Sequence, residues 1–192
     1  MAAASPFKIE LASIAKGKYE RLGSLNRGDP VLCERIEKYC RDVRVAMTAP
    51  VEQFHYSAVF ISWCMRNAGA SEQEFPATAA HCDYAKRAIG KAPGGILRAR
   101  TIDSYAPHVG DIVHVNREGG TIDYKRAEGP SRYPAESGIV IEVREGNLEV
   151  VIVMGNQEPR GTVGTETLAS AESGLLLQRA IDPIICVLEV VN

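Results

Sequence analysis

The residues best placed to do chemistry are His55-Tyr56-Ser57, three polar-tipped side chains at the start of a strongly apolar run. Ala58, Val59, Phe60, Ile61, Trp63, Cys64, Met65 and Ala68 occupy nearly every face of a helix, so it is expected to be buried on most sides. Gly69 supplies its stop. A side chain at the start of such a helix feels the positive end of the dipole and several backbone N–H groups without partners. That setting favours developing negative charge and suits a nucleophile or an oxyanion. Ser57 is the candidate nucleophile, with its use as a simple helix cap the plainer alternative. His55 and Tyr56 beside it are candidate substrate-binding residues.

A hydroxyl is far less acidic than a thiol, so Ser57 needs a base. His81 lies on the next predicted helix together with Asp83; His81 is a candidate base and Asp83 a candidate substrate-binding residue. His55 and His114 rank below His81. Cys82 is a conceivable second nucleophile, but neighbours on a helix point about 100° apart, so it and His81 face different ways. Trp63, in mid-helix, reads as core. A zinc site drawn from His81, Cys82, His108 and His114 matches no ligand spacing, and neither a metal nor another cofactor is expected.

These residues must be held by helices followed by strands. Helices are expected over residues 6–22, 31–45, from Ser57 to Gly69, and over 77–89. The texture then changes. Residues 112–115, 138–143, 148–154 and 184–191 are rich in Val and Ile and read as strands, with shorter ones at 162–168 and 175–178. Arg144-Glu145-Gly146-Asn147 is a hairpin turn, and 119–133 reads as an exposed loop. Helices first and an antiparallel meander after them define an α+β chain. No repeat or linker interrupts it. Residues 1–38 read as a helical extension packed on a domain spanning 39–192.

With 192 residues the chain can hold one domain with a full core. A net charge of −2 argues against a nucleic-acid partner, and no apolar run is long enough for membrane insertion. The stretch Met1-Ala2-Ala3-Ala4-Ser5-Pro6 lacks a basic region followed by an apolar core, so no signal peptide is expected. The five cysteines, Cys33, Cys40, Cys64, Cys82 and Cys186, are odd in number and form no CxxC pair. They read as reduced thiols of a product that is cytoplasmic as synthesised.

Tyr56-Ser57-Ala58-Val59-Phe60-Ile61-Ser62-Trp63 resembles the nucleophile helix of papain-like cell-wall hydrolases of the CHAP and NlpC type. It is more similar still to domain-of-unknown-function family 2272, through Met65-Arg66, Ala68-Gly69, Phe75-Pro76, Ala80-His81-Cys82-Asp83-Tyr84, Tyr105-Ala106-Pro107, Gly110-Asp111-Ile112-Val113 and Gly155-Asn156. The resemblance runs from about Tyr39 to the end. It implies a papain-like core, with N-terminal helices packed on a small antiparallel β-sheet. In active relatives a Cys at the helix start attacks an amide, a His at the start of the next strand activates it, and a polar residue orients the His. Here Ser57 stands at the Cys position and Glu136 at the His position, while Asn156 falls near the orienting position. A carboxylate with an ordinary pKa near 4.3 is a weak base at neutral pH unless burial raises it.

The resemblance implies an amide-bond hydrolase acting on peptidoglycan or a related peptide, with Ser57 as nucleophile and Glu136, His81 and Asn156 as partners. Two alternatives stand beside it. One is a catalytically inactive papain-like module that binds a peptide, glycan or partner protein. The other is a bacterial effector that modifies a host protein by acyl transfer or deamidation. Either extracellular role requires a non-classical export route, and a cognate immunity or delivery protein is then an expected partner.

Overall fold

The structure is a computed structural model that describes residues 5–129 and 131–191. Met1–Ala4, which hold most of the stretch expected to carry no signal, lie outside the described residues. Helix α1 (Pro6–Leu22) starts at Ser5, whose hydroxyl accepts from the Lys8 N–H, with Pro6 in the first turn. Helix α2 (Pro30–Val43) starts the same way, with Asp29 accepting from the Val31 N–H ahead of a first-turn proline, and ends on Arg44 in the left-handed region. Helix α3 (Ser57–Asn67) is buried along nearly its whole length, and α4 (His81–Ile89) follows after a loop.

Strands β1 (Leu97–Arg100), β2 (Ile112–Asn116), β3 (Ala135–Arg144), β4 (Glu149–Gln157), β5 (Thr162–Ala169) and β6 (Ile184–Val190) form one sheet. Its order is β1-β6-β2-β3-β4-β5, every pairing antiparallel. The chain is thus a mixed α/β structure built on a six-stranded open antiparallel sheet.

Successive strand residues point to opposite faces. Ile112, Ile139, Val153 and Leu188 belong to the near face and pack with the helices, including Phe7 and Leu11 of α1 and nearly all of α3. Val113, Val140, Ile152 and Val187 face the other way, into a second cluster closed by Leu176 and by Ile102 and Tyr105. Helix α1 shares the main core with the rest. Its Lys8 reaches the fully buried Asp111 at 2.7 Å. The approach is so close that a Cβ on Gly110 would lie 2.5 Å from the Lys8 carbonyl oxygen.

Three expectations need correction, and one strand, β1, has no signal in the sequence reading. Helix α4 begins at His81 instead of Ala77, because Thr78 is bound to α3 through Ser62. Strand β1, with two arginines, owes its conformation to pairing with β6. A short helix, α5 (Tyr124–Ala127), capped by Asp123, interrupts the expected loop, of which Pro130 lies outside the described residues. The stretch 175–178 makes a single bridge, Ser170 to Leu176, and no strand.

Candidate active site

Helix α3 delivers Ser57, helix α4 delivers His81 and Tyr84, and the β2–β3 pair delivers His114 and Ser137. Ser57 is the first helical residue of α3; Tyr56 holds the cap position and gives the helix no side-chain cap. The Ser57 hydroxyl is therefore not used as a cap. Its Oγ lies 2.8 Å from Nε2 of His81, and the two residues are 4% and 6% exposed. On the other side of the ring, His81 Nδ1 lies 2.5 Å from the Tyr84 hydroxyl. His81 and Tyr84 are three apart on α4, the spacing that puts two side chains on one helix face.

Local packing fixes the pair. Ser62, one and a half turns after Ser57, donates to the Thr78 carbonyl at 3.1 Å and accepts from the Thr78 N–H at 3.2 Å. The Thr78 hydroxyl accepts from the Ala80 N–H and donates to Asp83. These bonds bring the start of α4 against α3 and turn His81 toward Ser57. On the sheet side Gly155 of β4 allows the strand to pass under the helix start, where a Cβ would lie 3.2 Å from Ser57 Cα and 2.9 Å from Phe60 Cβ.

The electrostatics favour a neutral ring. Burial pushes the proton affinity of His81 well below that of an ordinary histidine, and nearby His114 and Arg117 push it further down. Burial likewise carries the Tyr84 phenol well above its usual range, against the pull of the Ser137 hydroxyl beside it. His81 is thus uncharged at neutral pH, with no carboxylate behind it and a phenol where a charged partner would otherwise stand.

Other expected residues lie elsewhere around the site. Glu136 does not face Ser57. It pairs with Val115, whose side chain belongs to the far face, so strand alternation puts Glu136 on the sheet face away from α3. Its carboxylate lies 3.6 Å from Arg117 and accepts from Gln157 at 3.4 Å, and burial raises its pKa. The residue that does face the helices is the next one, Ser137. Asn156 orients His55, not His81: its Nδ2 lies 3.1 Å from His55 Nδ1, while its Oδ1 accepts from Arg27 at 2.9 Å. Asn156 adopts φ +58° at a register shift between β4 and β5, a conformation that asparagine tolerates. Tyr56 donates to the Gly161 carbonyl at 3.3 Å, and Asp83 accepts from Thr78 and Arg132, each at 2.8 Å. Asp83 is thus part of the scaffold behind His81.

Tyr84 and Ser137 carry no role in the sequence reading. The His81-x-x-Tyr84 spacing was a usable signal for the first; the second is legible only once β3 is known to start at Ala135. Among the described residues, no three His, Cys, Asp or Glu side chains converge to hold a metal ion. All five cysteines are free, and among the described residues no helix is long and apolar enough to cross a membrane.

Fold and site together define a mixed α/β protein with a buried serine–histidine pair joining the starts of two helices. Residues 33–184 match the model of domain-of-unknown-function family 2272 (DUF2272), described as an uncharacterized protein conserved in bacteria, and the chain belongs to that family. No curated protein and no solved structure matches it.

Proposed function

We propose that this chain is a serine-dependent hydrolase of amide bonds, with the peptides of peptidoglycan as its substrate class. The observation that carries the reading is the 2.8 Å contact between Ser57 Oγ and His81 Nε2 at the start of a buried helix. His81 Nε2 takes the Ser57 proton as Oγ bonds to the carbonyl carbon. The carbonyl oxygen becomes an oxyanion near the first-turn N–H groups of α3, which have no acceptor within the helix. His81 then gives the proton to the leaving amine as the C–N bond breaks. A water molecule repeats the sequence on the acyl-enzyme and releases the acid and Ser57. Tyr84 holds the ring from Nδ1, the role a carboxylate has in commoner triads. A nucleophile helix packed on an antiparallel sheet supports a papain-like relationship, although the base comes from the next helix and not from a strand.

Labelling with a fluorophosphonate tests the chemistry without knowledge of the substrate. Ser57 Oγ bonds to phosphorus, fluoride leaves, and His81 takes the proton. The expected result is one adduct on the peptide containing Ser57, lost in Ser57→Ala and His81→Gln. Mass spectrometry of peptidoglycan digests then identifies the bond cut. A wild type that never labels overturns the hydrolase reading.

One observation favours a second reading. No carboxylate stands behind His81, and Ser57 is almost covered, features that suit a module binding a peptide or glycan at this surface. An effector acting on a host protein uses the same acyl-transfer steps as the hydrolase; it, a non-classical export route and an immunity or delivery partner remain proposals tied to the substrate found.

A further inference from the structure

A second cleft opens on the sheet side away from α3, where Val143 packs on the far-face cluster. It holds about 530 Å³, the size of a site for a small ligand or a short peptide segment. Pro107, Val109, Val143 and Leu148 give it apolar walls. Both sides are tied down. The Ser170 N–H donates to the Leu148 carbonyl, and the turn that follows is closed by the Ala171 N–H on the Leu175 carbonyl and the Gly174 N–H on the Ala171 carbonyl. Gly174, at φ +81°, brings that turn so close to the facing loop that a Cβ on it would lie 3.2 Å from the Ala106 Cβ. In that loop the His108 N–H is held by Asp111 at 2.9 Å. The cleft is therefore preformed. It is also remote from the Ser57–His81 pair: Leu148 precedes β4 and Gly155 lies near its other end, about 20 Å along the strand.

Two carboxylates line this cleft, and among the described residues no lysine or arginine does. Glu145 and Glu172 are exposed, and neither carboxylate has an ion-pair or hydrogen-bond partner among the described residues. Arg144, beside Glu145 in the chain, is taken by Glu142 and Glu149. His108 is made an acceptor by its neighbours. Asp111 only accepts, so the Tyr105 hydroxyl 2.9 Å from it donates there. The same hydroxyl lies 3.0 Å from His108 Nδ1 and accepts the Nδ1–H, which leaves Nε2 of the neutral ring as an acceptor. Ser170 lies in the wall, is 6% exposed, and its hydroxyl has no partner among the described residues. A polar side chain left in that state in a buried residue is one that a ligand or water completes.

We infer that this cleft binds a peptide segment carrying a lysine-type side chain, its aliphatic stem against the apolar walls and its ammonium taken up by these acceptors. An ammonium has three donors and no acceptor, the complement of a site with two carboxylates, a bare imidazole nitrogen and an unpaired hydroxyl. The stem adds buried apolar area that a bare cation lacks. A lysine side chain fills roughly 150 Å³, counting each heavy atom as a water-sized volume. The cleft is several times larger, so its occupant is a stretch of peptide and not a free amine. The inference does not depend on Ser57 being a nucleophile; it adds a peptide contact on the opposite side of the sheet.

Nitrogen-15 NMR of the full chain at low salt, titrated with an end-blocked tripeptide bearing a central lysine, tests this. The expected result is saturable shifts at Val109 and over residues 170–174, none at Ser57, and a Kd of about 1 mM or tighter. The matching norleucine tripeptide keeps the stem without the charge and is expected to bind about tenfold more weakly. The double variant Glu145→Gln, Glu172→Gln removes both charges at exposed positions whose carboxylates the fold does not use, and is expected to weaken the lysine peptide about tenfold. Absent or scattered shifts overturn the inference. So do a norleucine peptide that binds as tightly, an unchanged affinity in the double variant, or cadaverine binding as tightly as the peptide. The norleucine and cadaverine comparisons use the wild type and decide the matter if the double variant does not fold. The two proposals fail separately: a tripeptide that does not bind leaves the hydrolase reading standing, and a wild type that never labels with fluorophosphonate leaves the cleft standing.

Discussion

Asp111 and His114 are three residues apart around the start of β2, and both are fully buried, yet the polar clusters they centre are of different kinds. The Asp111 carboxylate accepts from four donors: Lys8 at 2.7 Å, and the Tyr105 hydroxyl and the His108 and Val190 N–H groups at 2.9 Å each. A carboxylate only accepts, so this cluster has one arrangement. It fastens α1, the loop before β2 and β6 to one point. The His114 cluster is made of neutral groups that both donate and accept, so its bonds can reverse without moving a heavy atom. The first is suited to holding backbone segments together. The second leaves the position of each proton open, as does the Ser57–His81–Tyr84 group beside it.

The contrast is broken most directly at His81. His81→Gln removes the base but keeps a polar group of similar reach, and labelling of Ser57 is expected to fall by about a thousandfold or more, as in other serine triads. Stability is expected to change little, within about 1 kcal/mol, since a neutral amide carries no charge into the site. Labelling rates and denaturant melts on the same preparation check both halves. A large loss of stability with little loss of rate would make His81 structural.

Asp111→Ala reverses the pattern. It leaves Lys8 without its partner and three donors without an acceptor, and breaking a buried ion pair in this way costs about 3–5 kcal/mol. The midpoint of a urea melt is expected to fall accordingly, while the protein that remains folded labels at the wild-type rate. Equal losses in both measurements would mean that the two clusters act as one.

Acid separates the clusters by another route. His114 is held down to about pKa 3 by burial, and His81 well below its ordinary value by burial, His114 and Arg117. Both stay neutral in the folded chain while an unfolded chain takes up protons below about pH 6.5. The unfolded state then binds more protons, so stability is complete above about pH 6.5 and falls as pH drops toward 3, by about 1.4 kcal/mol per unit for each histidine. Glu136, raised by burial, titrates in the opposite sense from the ordinary carboxylate range upward and offsets part of the fall. Melts from pH 7 to 4 check the slope, which His114→Phe is expected to halve. The labelling rate is expected to hold below pH 6, since His81 remains unprotonated there.

The parts of this arrangement legible in the sequence are those with local causes. Helices α1 and α2 announce themselves by a capping residue followed by proline, and α3 by its continuous apolar surface. Strand β3 is read three residues short because Ala135-Glu136-Ser137 has no strand character of its own. Ser137 is kept in the strand by its bond to His114 on β2, a long-range contact. That shortfall also hides the fact that Glu136 and Ser137 point to opposite faces, and so leaves Glu136 at the position where the resemblance expects a base. Ser57 was nameable from its position at a buried helix start. His81 was nameable only as the first of several candidate bases, because it meets Ser57 through the loop that Ser62 holds.

Ser62 is the point where fastening and chemistry meet, and its removal is the smallest of these perturbations. It is 1% exposed, with its hydroxyl bonded to both the N–H and the carbonyl of Thr78. Ser62→Ala leaves those two backbone groups without partners, a loss of about 1–2 kcal/mol. The cavity is no larger than one hydroxyl, so the packing of α3 is preserved. What changes is the tether between α3 and the start of α4, and with it the distance from His81 to Ser57. Labelling is therefore expected to slow by a few-fold, because small displacements of a reacting pair are costly in rate. Ser62→Thr keeps the hydroxyl and is expected to restore the rate if its methyl is accommodated. A labelling rate unchanged in Ser62→Ala would mean that His81 is positioned within α4 alone, through Tyr84.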